Sequence, residues 1–234
     1  MQPTCTLFSI ITGWTLFLSP PKTVFDMWPP SASTYSFAFT AASMKLPDFM
    51  RLAHYVADEG LNINEERPDA KLIMRRDNSR TNDREFRELF KRYQVMTPAQ
   101  RELLTRVDVP AQRQLALVGI SKLYTFVRDF IVEVVREKYL SLDYLLTEGD
   151  WQAFYNRKLD EHPELEDFST STIRKARQVT WRMLEQAGLI NNTQERRILP
   201  QYVSPLVAEV VRADQPELLQ LFLLSDYEIK TLYP

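Results

Sequence analysis

From Tyr35 onward, apolar positions recur at spacings of three and four, the period of a helix with one buried face. In LPDFMRLAHYVADEG, Phe49, Leu52, Ala53 and Val56 form one stripe. Pro47 stands in the first turn, where its missing N–H costs nothing, and Gly60 follows the end. LNINEERPDAKLIM is less regular. Asn62 and Glu65 have the spacing of a capping box, but Pro68 must interrupt or restart that helix. RRDNSRTNDREFRELFKRYQVM places Phe86, Leu89, Phe90 and Tyr93 on one face, with Asn78 or Ser79 as its cap. TPAQRELLTRV starts with Thr97 as cap and Pro98 at the first helical position.

The most apolar long segment, PAQRQLALVGISKLYTFVRDFIVEVVREKYL, predicts one or two buried helices at the centre of the molecule, with Gly119 as the candidate break. LSLDYLLTEGDWQAFYNRKLDEHPEL predicts a helix capped by Asp150 and ended near His162 and Pro163. The tail predicts two or three short helices with Pro205 and Pro216 at starts. No solenoid repeat and no low-complexity segment interrupts this pattern.

STSTIRKARQVTWRMLEQAGLI changes the picture most. At about 100° per residue, Ile173, Ala176, Val179, Thr180, Met183, Leu184 and Ala187 gather on one side. Arg174, Gln178 and Arg182 stand opposite, flanked by Lys175 and Arg177, and Gly188 is placed for a C-cap. Trp181 falls at the margin of the two faces, where it can bury its ring while its indole N–H reaches a phosphate. Asn191 and Asn192 then predict a turn into a short hairpin carrying Arg196 and Arg197. Helix, tight turn and basic hairpin follow in the order of a winged helix-turn-helix domain, whose helix enters a major groove while the wing touches phosphates.

A second helix has the same character. Opposite Phe86, residues Arg80, Arg84, Arg87 and Lys91 line the far side, and Ser79 and Thr81 can donate to phosphates. The bland alternative is that both are ordinary wet faces. Asp83 with Arg87 and Arg84 with Glu88 would then be intrahelical pairs worth only ~0.2–0.5 kcal/mol each.

Charge separates the two readings. The whole chain carries a net charge of −2, which does not mark it as a bulk nucleic-acid binder and requires any basic surface to be local. Residues 171–197 hold six Arg or Lys against two acids, directly after the acidic LDEHPELEDF. Composition agrees with an all-α protein: 44% hydrophobic, 26% charged and only five glycines. The single cysteine, Cys5, excludes a disulfide framework within the chain, and His54 and His162 are read as structural or surface residues. No P-loop, GxGxxG, HExxH or GxSxG is present, so neither catalysis nor a cofactor or metal is expected.

The first 34 residues do not match the rest. The apolar run from Cys5 to Leu18 has no preceding Lys or Arg, contains polar residues, and is short of the ~18–20 apolar residues of a membrane span. A disordered or loosely attached extension is expected rather than a signal peptide, with a translation start at Met27 as a third reading.

Three stretches together resemble a known family. They are SFAFTAASMKLPDFMRLA, SRTNDREFRELFKRYQVMTPAQRELL, and the run from VVREKYLSLD through DWQAFYNRKLDEHPEL to STIRKARQVTWRMLEQAGLI. From Tyr35 to the C-terminus the chain is similar to the BrxA family of BREX bacteriophage-defence systems, with NINEERPDAKLIM departing from the pattern at Pro68. The resemblance implies a small non-catalytic helical protein with two helix-turn-helix-like regions that bind double-stranded DNA. It also implies a likeness to the NusB RNA-binding antitermination fold, a label as an inner-membrane protein, and action beside a DNA methyltransferase, ATPases and a phosphatase-like protein. The apolar pattern does not support the membrane label.

The expectation is therefore a mainly α, cytoplasmic DNA-binding accessory protein. Residues 35–108 would form a helix-turn-helix-like domain, and 109–234 a winged one with a short β-hairpin near 191–199. The predicted DNA surface comprises Ser79, Arg80, Arg84, Arg87, Lys91, Arg174, Lys175, Arg177, Gln178, Arg182, Arg196 and Arg197, contacting mostly phosphates, with Arg174 or Gln178 as candidates for a base edge. An RNA-binding NusB-like factor and a protein adaptor within the defence complex are the alternatives.

Overall fold

Helices account for most of residues 35–74 and 79–232, the part described by this computed structural model. The expectations for residues 1–34 and for Asn78 as a cap lie outside that part. Helix α1 (Leu46–Asp58) begins with Pro47 in its first turn and ends before Gly60, which takes a left-handed φ of 62°. Asn62 and Glu65 do not cap a helix. The Asn62 carbonyl instead accepts from the Glu65 and Glu66 amides in a turn, and the short α2 (Ala70–Met74) begins two residues after Pro68. Helix α3 (Ser79–Gln94) buries Phe86, Leu89, Phe90 and Tyr93, as its apolar spacing predicts. Helix α4 (Pro98–Leu104) has a full capping box between Thr97 and Gln100.

The long apolar segment is centred on α5 (Val109–Leu123), whose buried residues run all round its circumference. From Gln114 to Ser121 the helix has no wet face and must be surrounded. Helices α1, α3 and α4 pack on it, as do three later ones. Gly119 does not break it. A Cβ there would meet the Arg92 carbonyl oxygen at 3.0 Å, so this glycine lets α3 approach closely. The break falls at Tyr124 (φ −124°, ψ 89°). Helix α6 (Thr125–Phe130) follows, runs through one π-helical stretch (Ile131–Arg136), and ends as α7 (Glu137–Leu140).

Helix α8 (Glu148–Glu161) is capped by Thr147, not Asp150. The Thr147 hydroxyl accepts from the Asp150 amide, while the Asp150 carboxylate accepts from the Thr147 amide. His162 closes α8 and stacks on Tyr35 with ring centres 3.7 Å apart. A short 3₁₀ turn (Pro163–Asp167) leads into α9 (Thr170–Ala187). The tail forms α10 (Pro205–Arg212), a 3₁₀ turn (Pro216–Phe222) and α11 (Asp226–Leu232), with both prolines at starts.

Two aromatic rings of α6 connect the later helices. Phe126 meets Trp151 and Phe154 of α8, and Phe130 meets Phe154 and Trp181 of α9. These contacts fix α9 by its inner face and leave the other face to solvent. Among the described residues, extended pairing is confined to two antiparallel bridges, Leu145 with Arg197 and Ile190 with Ile198. No helix among them is long and apolar enough to cross a membrane.

Candidate nucleic-acid interface

Helix α9 starts where the Ser169 hydroxyl accepts the Thr172 amide and stops at Gly188, whose φ of 78° reverses the chain. Ala176, Thr180, Met183 and Leu184 are buried, and Ile173, Val179 and Ala187 are half-buried. The Thr180 hydroxyl turns back onto the Ala176 carbonyl at 2.9 Å, so the inner face carries no unpaired polar group at that position. Trp181 is not marginal. It is 4% exposed, and its Nε1 is buried without a partner, so its indole N–H does not reach a surface phosphate.

The outer face carries Ser171, Arg174, Lys175, Gln178 and Arg182, all exposed. Among the described residues, no hydrogen bond or ion pair holds the side chains of Arg174, Lys175, Gln178 or Arg182. Three cations and one amide therefore stand along one side of the helix with their donors free.

Arg177 and Arg196 belong elsewhere. Arg177 meets one Glu148 oxygen at 3.1 Å and Arg196 meets the other at 2.5 Å. Arg177 also lies over Trp151 and Arg196 over Trp181, with 5.9 and 5.2 Å to the ring centres. Unlike the donors of the outer face, both are tied to a carboxylate on α8. Sequence spacing did not single out Glu148. It lies far along the chain from Arg196 and looks like any acid in a first helical turn.

The loop after α9 is held by its own polar groups. The Asn192 carboxamide oxygen accepts the Gln194 and Glu195 amides at 2.9 and 2.7 Å. The Asn191 amide donates to the Arg197 carbonyl, and the Arg197 amide donates to the Asn191 side chain. Across the other side, Leu146 donates to the Arg196 carbonyl and Ile198 to that of Tyr144. The loop thus pairs with residues 144–146 as well as with 189–191. Arg197 is exposed at its outer side, 3.1 Å from Glu195. Hydrogen bonds from Arg197 and Asn191 hold the Glu195 carboxyl below the usual range for glutamate.

Helix α3 exposes Arg80, Arg84, Arg87 and Lys91, and Ser79 opens the helix. The expected carboxylate pairs are replaced. Arg87 donates to the Asp83 carbonyl at 3.2 Å, and Glu88 is buried, accepting from Lys91 at 3.2 Å and from the Tyr124 hydroxyl. Glu85 also turns inward, 3.1 Å from Lys45. The inner side of α3 carries Arg92, fully buried, which donates to the Ser43 and Ala42 carbonyls at 2.6 Å each. Burial lowers the Arg92 pKa, and the neighbouring Tyr124 and Glu88 act against that shift.

A model of the BrxA family matches residues 33–215 of this chain. A BREX protein BrxA of Bacillus cereus (strain H3081.97) is 27% identical over 90 residues, 38% of this chain and 45% of the relative. A BREX protein BrxA of Escherichia coli O9:H4 (strain HS) is 27% identical over 111 residues, 47% of this chain and 52% of the relative. The matched stretches thus span about half the length of these curated relatives. The crystal structure of an uncharacterized protein from Magnetospirillum magneticum has the same fold, with a TM-score of 0.69 over 82% of this chain and 98% of that one at 18% identity. With the family model matched over most of its length, from before the first helix into the tail, this chain belongs to the BrxA family.

Proposed function

We propose that the chain binds duplex DNA through α9 and the loop that follows it. It acts without catalysing a reaction, as a cytoplasmic accessory component of a BREX phage-defence system. The observation that carries this reading is the outer face of α9, where Arg174, Lys175, Gln178 and Arg182 stand exposed and unpartnered. Free cations along one helix face release counterions when phosphates bind, which drives association. The order of elements supports the geometry. A short extended segment at 144–146 is followed by α8, α9 and a loop pairing back onto that segment, an order that supports reading α9 as the groove helix of a winged helix-turn-helix. Arg197 serves as the wing cation, its exposed pair with Glu195 giving way to phosphate, while Arg177 and Arg196, held by Glu148 and lying over Trp151 and Trp181, support the loop. Arg174 and Gln178 are the side chains placed for a base edge, and the remaining contacts fall on phosphate. Helix α3, with Arg80, Arg84, Arg87 and Lys91, supplies a second, weaker basic surface. The BREX assignment follows the names of both relatives, and other components of such a system are the protein partners in this reading.

Binding to duplex DNA, single-stranded DNA and structured RNA across a salt series tests the reading. Duplex binding should weaken steeply with salt, and Arg174→Glu with Arg182→Glu should lower it on the order of a hundredfold. Undiminished binding in that double variant would move the site off α9. A preference for structured RNA would select the RNA-binding alternative, and no binding to any nucleic acid at low salt would leave the adaptor.

A further inference from the structure

Glu148 occupies a place that a nucleic-acid surface does not ordinarily give to a carboxylate. It sits in the first turn of α8, is 49% exposed, and lies between one cation of α9 and one of the following loop. Its two oxygens face opposite partners, Arg177 on one and Arg196 on the other. Each arginine lies over a buried tryptophan, Arg177 over Trp151 and Arg196 over Trp181, so the carboxylate links two cation–ring contacts across α8, α9 and the loop. The loop bears a conformational cost at this point. Arg196 has a φ of 58°, a left-handed geometry that a bulky residue adopts only when its surroundings over-determine it. Its Nε is also buried without a partner.

We infer that Glu148 is a positioning residue for DNA binding: by clamping Arg196 to Arg177, it fixes the loop against α9 and so aims Arg197 at the phosphate backbone. This rests on the DNA-binding function proposed above. Arg197 follows Arg196 directly, and its backbone is shared with the bridge to Leu145, so its direction depends on how Arg196 is held. Simple electrostatics points the opposite way. A negative charge beside a phosphate site repels the ligand, so removing it should tighten binding.

The sign of the effect therefore decides. Glu148→Gln removes the charge, and Glu148→Asp keeps it but is one methylene too short to span both arginines. Both variants should bind duplex DNA about tenfold more weakly than wild type, the loss of one charge-assisted contact. Both should show a log K against log salt slope shallower by about one phosphate contact. Arg197→Gln should weaken the wild type by a similar factor and add nothing in the Glu148→Asp background. Faster amide exchange at Leu146, Arg196 and Ile198 in both variants, with an unchanged melting temperature, would locate the change in the loop. Tighter binding by Glu148→Gln with unchanged binding by Glu148→Asp would overturn the inference. If the wild type itself fails to bind duplex DNA, the inference falls together with the proposed function beneath it. Failure of the inference alone shows as salt-sensitive wild-type binding that Glu148→Asp leaves intact.

Discussion

Helices α3 and α9 present similar sequences to solvent and use their charges differently. Arg80, Arg84, Arg87 and Lys91 recur at spacings of four, three and four, and Arg174, Gln178 and Arg182 at four and four, so each set lines one side of its helix. On α3, however, charge lies on both sides. Glu85, Glu88 and Arg92 point inward, held by Lys45, Tyr124 and the backbone of residues 42 and 43. Of the outer cations of α3, Lys91 is tied to Glu88, and exposed Asp83 stands in the same turns. On α9 the buried positions are Ala176, Thr180, Trp181, Met183 and Leu184, with no charged residue, and the outer donors Arg174, Lys175, Gln178 and Arg182 are unpartnered. Similar spacing thus gives unequal capacity for phosphate. Each helix has one outer cation tied to a carboxylate, Lys91 on α3 and Arg177 on α9, so what separates them is the charge on their buried sides and whether a second basic element stands beside them.

The largest expected effect comes from the inner side of α3. Arg92→Ala removes a guanidinium that satisfies two buried carbonyls and leaves both unpaired. It should lower unfolding stability in urea by about 3–5 kcal/mol. Arg182→Ala, on the outer face of α9, should change it by less than about 0.5 kcal/mol. A similar small loss in both would mean that the inner charges of α3 do not hold the fold, and the contrast between the helices would vanish.

Gly119→Ala sharpens the same contrast from the α5 side. Helix propensity alone favours alanine by about 1 kcal/mol. A Cβ would meet the Arg92 carbonyl at 3.0 Å and the Met96 side chain at 3.4 Å, so overpacking should win, with a net loss of about 1–3 kcal/mol. Thermal unfolding reads the sign. A stabilised variant would show that α3 can move off α5 freely.

The legible parts were those governed by local periodicity. The buried set of α3, the two faces of α9 and its Gly188 stop all follow from spacing and cap chemistry within one element. The misread parts depend on contacts between elements. Glycine in a helix reads as a break on propensity, and only the nearness of Arg92 explains Gly119. Tyr124, where the chain does break, carries neither glycine nor proline as a signal. In the Thr147–Asp150 box each side chain caps the other's amide, and the acid was the less informative partner to choose. Arg177 and Arg196 read as free cations because a pairing through Glu148 of another helix leaves no periodic trace.

The smallest effect is expected on the outer face of α3. Arg84→Glu with Arg87→Glu reverses as much charge as the α9 pair, so distant electrostatics would lower DNA affinity similarly in both. The position of the charge matters because screening confines its influence to about 8–10 Å at ordinary salt. If α9 touches the duplex and α3 contributes only a second, weaker surface, the α3 variant should bind less than about tenfold more weakly, against the roughly hundredfold loss from α9, with its salt slope changed by less than one contact. A salt titration of both variants side by side supplies the comparison. An equal fall in affinity and slope would place α3 and α9 in one footprint, and a second basic element would no longer be what distinguishes the two helices. A loss confined to α9 would mean that the elements standing beside a cation, more than its spacing along a helix, determine whether it meets a phosphate.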